Sequence, residues 1–157
     1  MRSFGSAFAL TVLCVATASG QKPDFTGTWR QIDSSGRVRI DRIQHQDPYL
    51  KITFESKEAA TSGTSLQRPI GGIYGENEYR TDGTEQVDNH VSGRQRWRTV
   101  NWQGPVLVFL TVTKDGYRVT VDREIWTLTD SGKTLKKSTR MINMDGVTEK
   151  SVTFQKE

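Results

Sequence analysis

After residue 24 the chain never sustains a helical period. Short runs of β-branched and aromatic residues alternate with turn dipeptides all the way to the C-terminus. The runs that read as strands are 25–32, 37–45, 49–57, 72–80, 94–102, 105–113, 117–128, 134–143 and 147–155. Between them stand Ser35-Gly36, Asp47-Pro48, Asp82-Gly83, Gln103-Gly104-Pro105, Asp115-Gly116, Ser131-Gly132 and Asp145-Gly146. Asp-Gly between alternating segments signals a hairpin, because both residues tolerate the positive φ of tight turns. Neighbours joined by such short turns form an antiparallel meander, and no crossover helix is available to make the sheet parallel. Closing that meander removes its exposed edges. The expected fold is therefore all-β, a single antiparallel up-and-down barrel of about eight strands. Residues 57–72 are expected to form a strand pair with a loose loop, or a lid over one end, and 83–93 a loop.

What precedes the strands sets the compartment. Arg2, the apolar stretch 7–17 and the small residues Ala18-Ser19-Gly20 read as a secretory signal peptide. Its apolar core is shorter than the roughly 20 residues of a membrane-spanning helix. Residues 1–20 are thus expected to be removed, leaving one domain over 21–157; the competing reading is an uncleaved anchor. The single cysteine, Cys14, lies in that leader. A mature domain without cysteine must stand on its core, with no disulfide framework. That favours a bacterial envelope, periplasmic or extracellular. The net charge is +4, with Lys and Arg interspersed among Asp and Glu. Such a surface lacks the concentrated field of a nucleic-acid binder.

Alternation assigns faces to the strands. In 49–57, Leu50, Ile52 and Phe54 share one face, opposite Lys51, Thr53 and Glu55. In 117–125, Tyr117, Val119, Val121 and Ile125 share a face interrupted by Arg123, which is expected to point inward and to need an anionic partner. Asp122 and Glu124, on the other face, read as solvent-facing. The run 106–112, VLVFLTV, is apolar on both faces, so it is covered on both sides or pairs with another subunit. Only 34% of residues are apolar, so polar groups are expected to reach the interior.

Phe25-x-Gly27-x-Trp29-Arg30 resembles the opening strand of the lipocalin and fatty-acid-binding superfamily. Residues 122–135, DREIWTLTDSGKTL, are similar to a late hairpin of small exported bacterial lipocalin-like domains. The resemblance covers both ends of the mature domain. It implies a barrel whose closed end is plugged by Trp29 beside Gly27, with an arginine, Arg140 or Arg123, stacked on the indole. The T-D-Y motif is missing, since Gly83 follows Thr81-Asp82, and the R-x-Y carboxylate clamp is broken by Met141-Ile142 after Arg140. Fatty-acid binding therefore has no specific residue support.

The aromatic residues Trp97, Trp102, Trp126, Tyr74, Tyr79, Tyr117 and Phe109 are able to line a cavity or simply to pack. Arg123, Trp97, Tyr117, Tyr79 and Phe54 are the expected ligand-binding residues. Arg94, Arg96 and Arg98 alternate on one face. They read as a solvated face against Glu76 and Glu78, with an anion or polysaccharide surface as the other reading. His45 and His90 stand outside any metal-ligand spacing, and no metal or cofactor is expected. No nucleophile motif is present, so no catalytic residue is assigned.

The functional expectation is an exported, non-enzymatic barrel holding a small apolar or amphipathic ligand. The alternative is a filled barrel acting through its surface or as a homodimer in the cell envelope. An enzyme of the barrel-isomerase or hydrolase kind is the third reading. Neither nucleic acid nor a membrane anchor outlasting the leader is expected.

Overall fold

The computed structural model describes residues 22–34, 36–57, 73–89 and 93–157. The expected leader, most of the 57–72 segment and His90 lie outside these residues. Ten strands form one sheet in the order β4-β3-β2-β1-β10-β9-β8-β7-β6-β5, every neighbouring pair antiparallel. They are β1 (Gly27–Ile32), β2 (Val38–Gln46), β3 (Tyr49–Lys57), β4 (Ile73–Arg80) and β5 (Gln86–Asn89). The second half comprises β6 (Gln95–Gln103), β7 (Val106–Asp115), β8 (Arg118–Thr129), β9 (Thr134–Asn143) and β10 (Gly146–Lys156). Each expected run contains one strand. The tenth, β5, falls where a loop was expected, because the polar sequence Gln-Val-Asp-Asn carries too little apolar alternation to announce itself. The only helical turn among the described residues is a 3₁₀ turn over Asp130–Gly132, and no described helix is long and apolar enough to cross a membrane.

The sheet curls into a nearly closed barrel. Its seam lies between β4 and β6. It is drawn together at one end by an isolated bridge between Asp82 and Asn101 and by a 2.9 Å hydrogen bond from Gly83 N to Val100 O. At that end the 47–48 turn is tied to the seam through Thr81 N, which donates to Pro48 O at 2.8 Å. We call this end the floor. The hairpin turns at 33–37, 115–117 and 144–145 lie at the other end, the mouth.

Strand register shows what fills the interior. Nearest the floor stand Leu128, Leu135 and Phe154, then Trp102, Leu107 and Trp126, with Val100 and Phe109 above them. Phe25, Trp29, Ile43, Leu50 and Ile52 complete this core, against which the half-buried Trp102 and Leu128 pack. The same inward face continues toward the mouth as Arg98, Thr111 and Asp122, and then as Arg96, Thr113 and Thr120. The interior is thus apolar at the floor and polar near the mouth. On β4, Gly75 lies opposite Phe54, and a Cβ at 75 would overlap the Phe54 ring. The absent side chain lets that ring lie against backbone.

Candidate functional site

The floor is built from aromatic contacts around one carboxylate. Phe25 stacks on Trp102 at 5.9 Å and meets Trp126 edge-on at 5.7 Å; Phe109 follows at 4.7 Å from Trp126, and Tyr79 at 5.2 Å from Phe109. Asp47 accepts hydrogen bonds from Lys22 Nζ (2.6 Å), Thr81 Oγ1 (2.7 Å) and Trp102 Nε1 (3.2 Å), and pairs with His45 Nε2 at 3.0 Å. It therefore joins the N-terminal segment, β2, the seam and β6. Burial alone would push this carboxyl up, but the hydrogen bonds from Lys22, Thr81, His45 and Trp102 outweigh it and hold it far below the ordinary carboxylate range. The unfolded chain takes up a proton near the ordinary value of 3.8 while the folded chain does not. The stabilisation is therefore complete above that value and is lost as pH falls toward the folded one. Thermal melts between about pH 6 and pH 2 should show a falling Tm below pH 4, with a shallower slope in Asp47→Asn.

Higher in the interior, Asp41 on β2 is fully buried and accepts from Lys137 Nζ on β9 at 2.6 Å and from Arg39 Nε at 2.7 Å. Lys137 Nζ also lies 3.9 Å from the Trp126 ring centre and 4.6 Å from that of Phe154. An ion pair thus spans the barrel from β2 to β9. Above it, Glu124 accepts from Trp126 Nε1 and, at 2.9 Å, from Thr139 Oγ1.

Near the mouth the inward side chains include Arg96, Arg98, Asp88 and Asp122. Arg98 pairs with Asp88 through Nη2, and its guanidinium lies 5.1 Å from the ring centre of Tyr79 across the seam. The Nε atoms of both Arg96 and Arg98 are buried without a hydrogen-bond partner. Burial pushes the Tyr79 hydroxyl up against the lowering effect of Arg98, and burial likewise pushes up the Asp122 carboxyl. On the β1–β4 side a cleft of about 290 Å³ opens at the mouth, lined by Gln31, Arg39, Phe54, Ser56 and Ile73. That is close to the roughly 300 Å³ lower bound for small-molecule sites.

Tyr79 and Phe54 point inward as expected. Three other expected ligand residues do not. Arg123 is exposed on the outer face and reaches over β7 to Gln103 Oε1 at 3.4 Å. Tyr117 is 79% exposed in the β7–β8 turn. Trp97 lies outside, in a cross-strand row that runs Val87, Trp97, Val112, Val121, Ile142, Val147. The cause is common to all three: β8 buries its even-numbered side, which carries Trp126 at the floor, and the register then turns the odd side of β7 and the even side of β6 inward. Asp122 and Glu124 consequently face in. Arg96 and Arg98 also face in, instead of meeting Glu76 and Glu78, which pair with Lys51 outside. The doubly apolar β7 strand is covered on both sides at Val108, which is 4% exposed, but not at Leu110, which is 41% exposed.

Trp29 is fully buried beside Gly27, and its Nε1 donates to Phe25 O at 2.8 Å. Neither Arg140 nor Arg123 covers it. The neighbour of β1 is β10, and Lys156 stands opposite Trp29 with Nζ 5.3 Å from the indole centre. Arg140 pairs with Glu149 on the outer face. Sequence reasoning missed Asp41 and Lys137 altogether, and read Asp88 as part of a polar loop where the structure has β5. Lys137 carried a usable signal, since it shares parity with the buried Leu135. Among the described residues no three metal-ligating side chains converge.

Ten antiparallel strands wound into a nearly closed barrel, with an apolar floor and a polar mouth, define a fold of the lipocalin-like, fatty-acid-binding type. No protein-family model and no curated relative matches the sequence. Among solved structures, the chain is similar to secretory abundant heat soluble protein 4 from Ramazzottius varieornatus, with a TM-score of 0.57 at 14% identity, covering 88% of this chain and 97% of that one. It is also similar to a secretory abundant heat soluble protein from the same organism, obtained from a dimer sample, with a TM-score of 0.55 at 10% identity, covering 84% of this chain and 94% of that one. These likenesses show a shared fold.

Proposed function

We propose that this chain is an exported binding barrel that holds a small amphipathic molecule. The observation that carries this reading is the graded interior. Phe109, Trp126 and Tyr79 make the interior apolar below, and Arg96, Arg98, Asp88 and Asp122 make it polar above. A folded domain that needed only a filled core would place apolar side chains at those upper positions, because buried charge costs more than it returns without full pairing. A ligand with an apolar body and a polar end matches the gradient, its body supplying affinity and its end supplying orientation. Export rests on the leader over residues 1–20. The names of the structural neighbours, which call those proteins secretory, agree with it.

The test uses the neutral amphipathic fluorophore N-phenyl-1-naphthylamine. Saturable fluorescence enhancement with one site per chain is expected. A linear, non-saturating response would remove the reading.

A further inference from the structure

We propose that the outer wall formed by β8, β9 and β10 binds a sulfated polysaccharide, whose sulfate groups are held by Arg123, Arg140 and Lys136. This site is separate from the interior and goes beyond the reading of the barrel as a binder of amphipathic molecules. A groove of about 570 Å³ runs along that wall. Small-molecule sites occupy roughly 300–1,000 Å³. Ile125, Ser138 and Ser151 form its floor, and the register sets them in one outward row. The two serine hydroxyls are hydrogen-bonded to each other at 2.9 Å. On one side of that row stand Arg123 and Arg140, and on the other Lys136. Ser138 is two residues from both Arg140 and Lys136 on the same strand face. Each of these cations therefore leaves the strand about 7 Å from it, near enough for a long side chain to reach back over it.

Among the described residues the protein balances this charge only in part. The β8–β9 ladder sets Arg123 directly opposite Arg140, and like charges in directly opposite positions destabilise a sheet. Glu149 is the one carboxylate among the described residues lining the groove, and it pairs with Arg140 Nε at 3.3 Å. Arg123 reaches an amide oxygen instead, that of Gln103 at 3.4 Å. All three cations are exposed, so an incoming anion meets them without disturbing the core. A departure from local pairing rules without a compensating contact marks a place used for something besides folding. The lining selects the anion. Guanidinium forks and an ammonium suit the several oxygens of a sulfate ester, and serine hydroxyls suit the hydroxyls of the sugar that carries it. No described lining residue is aromatic, so the groove offers no platform on which nucleic-acid bases stack. Ile125 is the one large apolar residue among those lining it and lies on the floor, so nothing apolar projects there to enter a bilayer.

The experiment measures the affinity of a fluorophore-labelled heparin tetrasaccharide at pH 7 and low ionic strength. Its fully desulfated counterpart, decathymidylate and phosphatidylglycerol vesicles are measured beside it. The proteins are the wild type, Arg123→Gln, Lys136→Gln and the double variant. Arg30→Gln, which removes an exposed cation of β1 outside the groove, controls for net charge. Circular dichroism first establishes that each variant is folded. The tetrasaccharide is expected to bind the wild type about tenfold more tightly than the desulfated chain or better, as charge-assisted hydrogen bonds require. The double variant should weaken it about tenfold, and Arg30→Gln by less than about twofold. No measurable binding of the tetrasaccharide, equal binding of the desulfated chain, or an Arg30→Gln loss as large as that of Arg123→Gln overturns the site. Oligonucleotide or vesicles binding the wild type as tightly as the tetrasaccharide overturns the choice of polysaccharide. None of these outcomes bears on the interior, which N-phenyl-1-naphthylamine reports.

Discussion

Replacing Asp41 by Ala is expected to cost about 3–5 kcal/mol of folding stability, because it strands a buried charge. Lys137 is 6% exposed, lies against the Trp126 and Phe154 rings, and has Asp41 as its 2.6 Å anionic partner. Cation–π contact offsets only part of the desolvation of an ammonium group. The reverse substitution, Lys137→Met, should cost less, since Arg39 continues to neutralise Asp41 at 2.7 Å. The double variant Asp41→Leu with Lys137→Met removes both charges, and Arg39, 43% exposed, is free to turn to water. It should recover most of the loss, as apolar replacement of a buried pair is commonly neutral or better. Urea melts of the four proteins give the order wild type and double variant above Lys137→Met, and Asp41→Ala lowest. For a chain of this size the Asp41→Ala loss corresponds to a Tm roughly 6–20 °C lower. A double variant as unstable as Asp41→Ala would show that the pair contributes through shape rather than charge.

That pair also shows where sequence reading stops. The strands were legible because hairpin turns and β-branched runs are local signals, and each expected run holds one strand. The inward face of β3 was legible too, since Leu50, Ile52 and Phe54 stand on one side without contradiction. On β8 the local pattern points the wrong way. Its mouth half is apolar at Val119 and Val121, which the structure leaves outside, and polar at Thr120, Asp122 and Glu124, which it turns in. Only Trp126 and Leu128, at the floor end, declare the true parity. A strand whose interior changes from apolar to charged along its length defeats any rule that counts apolar residues on each side.

The arginines of β6 were misassigned for the same reason. Solvated arginines and inward arginines alternate identically in sequence. The difference lies in the register that sets Arg98 opposite Thr111 and Thr111 opposite Asp122. The partnership of Asp41 with Lys137 joins residues 96 positions apart and left no local trace. The opening motif, by contrast, located its tryptophan correctly and its cation wrongly. A cation over an indole is easy to expect, but the ladder that supplies it, β10 beside β1, is a property of the closed sheet.

Trp29→Ala should be among the most damaging single substitutions outside the ion pair, at about 3–5 kcal/mol. The indole is fully buried, and removing it opens a cavity beneath strands that are already paired on both sides. Trp29→Phe tests a finer point. It keeps most of the ring volume but removes the Nε1 donor, leaving the Phe25 carbonyl oxygen without its 2.8 Å partner at a fully buried residue. A loss of about 1–3 kcal/mol is expected from that orphaned acceptor. Gly27 closes the same corner, with φ at +146° and Lys156 Cε only 2.7 Å from where a Cβ would stand. The lysine stem lies across Gly27 on its way to the indole, so the motif seals the floor through backbone contact and a cation together. If Trp29 is a plug and nothing more, Trp29→Phe lowers the urea midpoint while leaving N-phenyl-1-naphthylamine affinity within about twofold, since the proposed binding region lies toward the mouth, away from Trp29. Lost probe affinity at unchanged stability would move Trp29 from the seal to the binding site.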